Sequence, residues 1–277
     1  MTKVTLPGPI VSAGWLFEHL KAENLIIFDA SIPKVTDTTA NTSTDIQLPN
    51  AHFFNLKTCF SDASSAFPNT IPSEEQFQVE AKKLGVNRNS AIVVYDDKGI
   101  YSSARVWWMF KTFGHRNVAV LDGGLPDWLA QHYPIEAKKN TTKQLGDFEA
   151  RFNPEYVTYF EDLENVSQSG RHTIIDARSE ARFNCEVPEP REGLRSGTIP
   201  NSKNLPFEVC LENGKLRSKP ELQAAFEALA PKENTIVFSC GSGLTACILD
   251  LAASVADYNN TKVYDGSWTE YGTLKQE

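Results

Sequence analysis

The chain carries one ordered set of signals twice, and that repeat limits its fold more than any other feature. Apolar runs at 25–28 (LIIF), 91–95 (AIVVY) and 118–121 (VAVL) stop at Asp29, Asp96 and Asp122. Runs at 173–175 (TII), 235–239 (TIVFS) and 262–264 (KVY) stop at Asp176, Cys240 and Asp265. Equivalent stops are 147, 144 and 143 residues apart, too constant a spacing for chance. Short β-rich runs bounded by turn residues read as buried strands, and the segments between them have helical spacing. Predicted helices include 73–84, opened by Ser73 ahead of Glu74, Glu75 and Gln76, and 221–229, preceded by Pro220. Alternating strands and helices predict an α/β fold of two tandem domains, each a mostly parallel sheet flanked by helices.

A polar, weakly periodic stretch with Lys138, Lys139, Asn140, Thr141 and Thr142 reads as the connection between the halves. The expected division is an N-terminal domain 1–137, a linker 138–153 and a C-terminal domain 154–277. A length of 277 residues suits two domains with separate cores.

Composition removes several classes of partner. The net charge is −8, and the 27 Lys and Arg are scattered, so a nucleic-acid surface is not expected. No apolar run approaches the roughly 18 residues that span a bilayer, so no membrane role is expected. The opening MTKVTLPGPIVSAGWL has neither the order of a secretory signal nor the Arg and Ser of a mitochondrial leader. Five irregularly spaced cysteines, Cys59, Cys185, Cys210, Cys240 and Cys247, suit a reducing compartment. The expected location is the cytoplasm, with the mitochondrion as the alternative. The absence of CxxC and HxxxH pairs predicts no metal, and the absence of GxxxxGK[ST] predicts no nucleotide, so no cofactor is expected. The glycines of LDGGLPDW and YDGSW read as turns, and Trp107, Trp108, Phe110 and Phe113 as core.

Chemistry concentrates in the segment Cys240 Gly241 Ser242 Gly243 Leu244 Thr245 Ala246 Cys247. A strand brings Cys240 to the carboxyl edge of a sheet, where open α/β folds hold their ligands. Two glycines let the backbone curl, and Leu244, Ile248, Leu251 and Val255 form the apolar stripe of a following helix. Unpaired amides and the positive end of that helix favour a thiolate, the setting of a nucleophile. A buried cysteine acting as a small hydrophobe is the competing reading, and it is kept for Cys59, Cys185, Cys210 and Cys247. A cysteine phosphatase would need an arginine at 246, where alanine stands, and a papain-like protease would need a histidine with a local signature.

With that loop the sequence resembles the tandem-domain rhodanese sulfurtransferases, and within them the mercaptopyruvate branch. The resemblance rests on CGSGLTA, with Gly241 and Ser242 where thiosulfate-preferring members carry basic residues. It extends to YSSARVWWMF, FGHRNVAVLDGG, RSEARFN, EPREG, GTIP and YDGSWTEYG. It implies a catalytic C-terminal domain and an N-terminal domain whose Asp96 replaces the nucleophile. It further implies attack of the Cys240 thiolate on the sulfur of 3-mercaptopyruvate, release of pyruvate, and passage of the persulfide sulfur to cyanide or a thiol such as a thioredoxin. Thiosulfate:cyanide sulfurtransfer, or a non-catalytic sulfur-carrier module, are the alternatives.

The resemblance assigns substrate contacts to Arg182 and Arg191, whose planar forks suit a 2-oxo carboxylate. Surface ion pairing is their plainer reading. It assigns donors to Gly241, Gly243, Leu244 and Thr245, and to Ser242 a part in moving a proton to the leaving group. Helix capping is the plainer reading for Thr245. It places Tyr101 on the cleft from the other domain. Animal members use an acid and a histidine in the N-terminal domain for a proton relay with the loop serine. Alignment through Phe53, Phe54 and Asn55 puts Lys57 and Asn69 near those positions, so the relay is expected to be missing, with Asp62 a substitute acid.

Overall fold

The computed structural model describes residues 2–34, 45–139 and 144–275. Two compact units emerge. The first comprises Met1–Asp62, Ile71–Phe152 and Asn213–Leu216, and the second Ala63–Thr70, Asn153–Glu212 and Arg217–Glu277. Asn140, Thr141 and Thr142 of the expected linker lie outside the described residues. The stretch after them is docked on the first unit: Gly146 N donates to Lys82 O, Phe148 N to Val86 O and Arg151 N to Phe113 O. Phe148 is buried there, which ties a polar-looking segment to a core.

The first unit has strands β1 (Ile10–Val11), β2 (Leu25–Asp29), β3 (Ala51–Phe53), β4 (Ala91–Tyr95) and β5 (Val118–Leu121), all parallel, in the order β3-β2-β4-β5-β1. The second has β6 (Val157–Thr158), β7 (His172–Asp176), β8 (Lys203–Asn204), β9 (Thr235–Ser239) and β10 (Thr261–Tyr264), again parallel, in the order β8-β7-β9-β10-β6. The six runs read from the sequence are the central strands. The two- and three-residue strands are too short to carry a periodic signal.

Helices cover the apolar strands, and the central residues of β4 and β9 are fully buried. The helix Glu74–Lys83 starts where predicted, with Ser73 Oγ accepting from Gln76 N at 3.2 Å. The helix expected at 221–229 instead spans Lys219–Glu227, because Ser218 and Glu221 form a reciprocal capping box and Pro220 falls in the first turn, where no amide is needed. Helix Ala246–Val255 is buried on more than the predicted stripe: every residue from Ala246 to Ala253 is inside. Trp107, Trp108, Phe110 and Phe113 are core residues.

Burial lowers the pKa of His115, whose Nε2 meets the Ser90 carbonyl at 3.0 Å. A histidine kept neutral in the fold stabilises above its unfolded pKa of about 6.5, and that contribution is lost as pH falls through the lower folded value. Chemical denaturation between pH 7.5 and 5.5 should therefore show falling stability, and His115→Gln should flatten the slope.

Candidate active site

Because each sheet is parallel, the strands end along one edge, where Asp176 closes β7 and Cys240 and Asp265 follow β9 and β10. Cys240 is 2% exposed, and Gly241 to Leu244 are buried with it. Gly243 has φ +78°, where a side chain would be strained. A Cβ on Gly241 would lie 3.1 Å from Arg182 Nη2 and press on that guanidinium.

The segment after β10 pins this loop. The amides of Cys240 and Gly243 both donate to Ser267 Oγ, at 3.0 and 3.1 Å. That hydroxyl lies 2.9 Å from the Tyr264 carbonyl and 3.8 Å from Cys240 Sγ, so its single proton can serve either. Trp268 N and Thr269 N donate to the carbonyls of Cys240 and Gly241, both at 2.9 Å. Thr269 Oγ1 adds a 2.5 Å bond to the Gly241 carbonyl, and Cys247 Sγ donates to that of Gly243 at 3.1 Å.

The first unit shows what such a loop holds. Asp96 follows β4 as Cys240 follows β9, is fully buried, and its carboxylate accepts from the amides of Lys98 (2.9 Å), Tyr101 (2.8 Å) and Ser103 (3.0 Å). The Ser103 hydroxyl adds a fourth bond at 2.7 Å. Counted from the strands, Lys98 corresponds to Ser242. Counted back from the helices Ser103–Thr112 and Ala246–Val255, Tyr101 and Ser103 correspond to Leu244 and Ala246. Among the described residues, no acceptor takes the amides of Ser242, Leu244 or Ala246. One loop encloses a carboxylate, and the equivalent loop after β9 leaves the three corresponding amides without an acceptor among the described residues. Amides left open at a helix N-terminus are donors for an anionic group bound in the loop.

Two guanidiniums flank Gly241. Arg182, on the helix Glu180–Phe183, donates to Glu189 through Nη2 at 2.5 Å and Nε at 3.2 Å. Glu189 also accepts from Arg178 Nη1 at 2.8 Å, and Arg178 grips Asp176 through Nε (2.9 Å) and Nη2 (2.7 Å). A chain of four charges thus runs from the end of β7 to the cysteine loop. Arg191 donates to Ser242 Oγ at 3.0 Å and to Thr269 Oγ1 at 3.4 Å. Neither arginine is an ordinary surface ion pair. Among the described residues no group of His, Cys, Asp and Glu is arranged for a metal ion.

Residues 12–131 and 160–273 both match the family model of the rhodanese-like domain. The chain belongs to the rhodanese-like family. It is 38% identical over 266 residues to the 3-mercaptopyruvate sulfurtransferase of Escherichia coli (strain K12), covering 95% of this chain and 94% of that one. It is 37% identical to thiosulfate/3-mercaptopyruvate sulfurtransferase 1, mitochondrial, of Arabidopsis thaliana, over 98% of this chain and 78% of the other. The crystal structure of SseA from Escherichia coli superposes with a TM-score of 0.85 at 36% identity, over 94% of this chain and 99% of that one. The α/β repeat is therefore a pair of rhodanese-like domains.

In the second rhodanese-like unit the structure gathers Cys240, Gly241, Ser242, Gly243, Leu244, Thr245, Arg182 and Arg191. Thr245 occupies the N-cap position of Ala246–Val255, yet its hydroxyl makes no capping bond, so the capping reading fails. Tyr101 belongs to the first unit, where its amide holds Asp96 and Lys34 Nζ lies 5.2 Å from its ring centroid. Cys210 is inert by burial, which pushes its thiol up to about 12. The sequence reading missed Ser267, Thr269, Glu189 and Arg178. Asn69 clusters with the second unit, and its Nδ2 donates to Ser242 Oγ at 3.0 Å and to the Ser242 carbonyl at 3.2 Å.

Proposed function

We propose that the protein moves sulfur from 3-mercaptopyruvate through a Cys240 persulfide to a thiol acceptor or cyanide, releasing pyruvate. The observation that carries this reading is the repeated loop, which in the first unit holds the Asp96 carboxylate by its amides and after β9 presents Cys240 with the amides of Ser242, Leu244 and Ala246 taken by no acceptor among the described residues. In the first step the thiolate attacks the substrate sulfur. An S–S bond forms, the C–S bond breaks, and the electron pair leaves on carbon as the pyruvate enolate, which is then protonated. The loop amides hold the anionic persulfide, and Arg182 and Arg191 hold the substrate carboxylate. In the second step the acceptor thiolate or cyanide attacks the outer sulfur, and the Cys240 thiolate returns. The names of the Escherichia coli and Arabidopsis thaliana relatives support this choice of donor.

The test is pyruvate release from 3-mercaptopyruvate in the presence of a small thiol, with peptide mass spectrometry of Cys240. Multiple turnover and a gain of about 32 Da on Cys240 before acceptor is added are expected. Release that stops at one equivalent would replace this reading with a sulfur carrier. Thiosulfate should turn over about tenfold more slowly or worse, because Gly241 and Ser242 place no charged donor at its second anionic end.

A further inference from the structure

The Ser242 hydroxyl is met from two sides by groups that can only donate. Arg191 Nη2 lies 3.0 Å from Oγ, and a guanidinium has no acceptor. Asn69 Nδ2 lies 3.0 Å from the same oxygen. That nitrogen is also 3.2 Å from the Ser242 carbonyl oxygen, which only accepts, so the amide turns its NH2 and not its oxygen toward the serine. A hydroxyl oxygen has two lone pairs, and both are taken. Its proton is left to donate, and no acceptor among the described residues receives it.

Residue 69 is held for this contact. Asn69 has φ +61°, a conformation asparagine tolerates better than most residues. The segment around it is tied internally. Thr70 Oγ1 lies 2.9 Å from the Phe67 carbonyl, to which it donates, so the 2.7 Å contact between Ser65 Oγ and Thr70 Oγ1 has serine as donor. Phe67 N donates to Ser65 Oγ at 3.1 Å.

We propose that Asn69 is a positioning residue which, with Arg191, fixes Ser242 as an obligatory hydrogen-bond donor to the species bound at Cys240. The inference rests on the sulfur-transfer reading above. A carboxamide does not ionise, so no proton passes through residue 69. Ser242 stabilises the departing enolate by its hydrogen bond, and the enolate takes its proton from water, leaving hydroxide.

Asn69→Asp tests this with little change of shape. A carboxylate accepts, so it draws the Ser242 proton onto itself and reverses the polarity of the contact. Turnover number for 3-mercaptopyruvate should fall roughly 10- to 100-fold, the range of one hydrogen bond to a charged group. Asn69→Gly keeps the backbone conformation and removes the donor, so its turnover number should fall between those of wild type and Asn69→Asp. On a Ser242→Ala background, Asn69→Asp should cost no further turnover number, because its action runs through the lost hydroxyl. Urea midpoints show that the variants compared are folded. A turnover number within twofold of wild type for Asn69→Asp, or an undiminished effect on the Ser242→Ala background, overturns the inference while leaving sulfur transfer intact. Failure of the wild-type protein to release pyruvate removes both.

Discussion

Cys240→Ser should abolish pyruvate release, with a loss of roughly 10⁴-fold or more in turnover number and no mass gain on residue 240. Oxygen differs from sulfur by one atom, but a serine hydroxyl stays protonated at neutral pH and does not form a persulfide. The loop amides, Arg182 and Arg191 would remain, so substrate should still bind while the chemistry stops. The fold should survive. Position 240 is buried, yet its backbone amide is satisfied by Ser267 Oγ and its carbonyl by Trp268 N, and neither bond involves the side chain. A hydroxyl at 240 also has Ser267 Oγ nearby, now 3.8 Å from the sulfur. The urea midpoint should shift by no more than about 1 kcal/mol in stability, the worth of one hydrogen bond. Steady turnover by a fully substituted Cys240→Ser protein would sink the assignment of the nucleophile.

The cysteine loop was legible because its signals are local: a β-rich run, a cysteine, two glycines and a helical stripe within about twenty residues. The central strands were legible for the same reason, and the repeat made each half a check on the other. What holds the loop was not legible. Ser267 lies 27 residues from Cys240, Arg191 lies 51 from Ser242, and Asn69 lies 173 from Ser242. Polar partners chosen across such distances leave no periodic trace. YDGSW reads as a turn, and Asp265 and Gly266 do bend the chain into a helix that starts at Ser267, yet Ser267 and the Thr269 just beyond YDGSW also clamp the loop. EPREG stood out for Arg191, with surface ion pairing as the plainer reading, and nothing in it marked Glu189, which is buried between Arg178 and Arg182. Burial turns a common ion pair into a structural commitment, and a single sequence does not display burial of charge.

That commitment sets the second large effect. Arg178→Met should destabilise the protein by about 3–5 kcal/mol, the usual cost of removing one partner from a buried ion pair. The Arg178 side chain is 0% exposed, between Asp176 at 1% and Glu189 at 1%. Its guanidinium also donates to the Gly197 carbonyl at 2.9 Å and lies 4.9 Å from the centroid of the Trp268 ring. Methionine fills much of the volume but, among the described residues, leaves Asp176 with no cation and Glu189 with Arg182 alone. Arg178→Lys should recover little, because one ammonium cannot reproduce bonds to Asp176, Glu189 and Gly197 together. The damage should reach function as well. Glu189 holds Arg182 against Gly241, and with Glu189 released from Arg178 the pair is free to shift. At temperatures where Arg178→Lys is still folded, its KM for 3-mercaptopyruvate should therefore rise more than its turnover number falls. Denaturant melts and steady-state kinetics on the two variants measure both effects. Stability within about 1 kcal/mol of wild type for Arg178→Met would mean that the four-charge chain does not hold Arg182 in place.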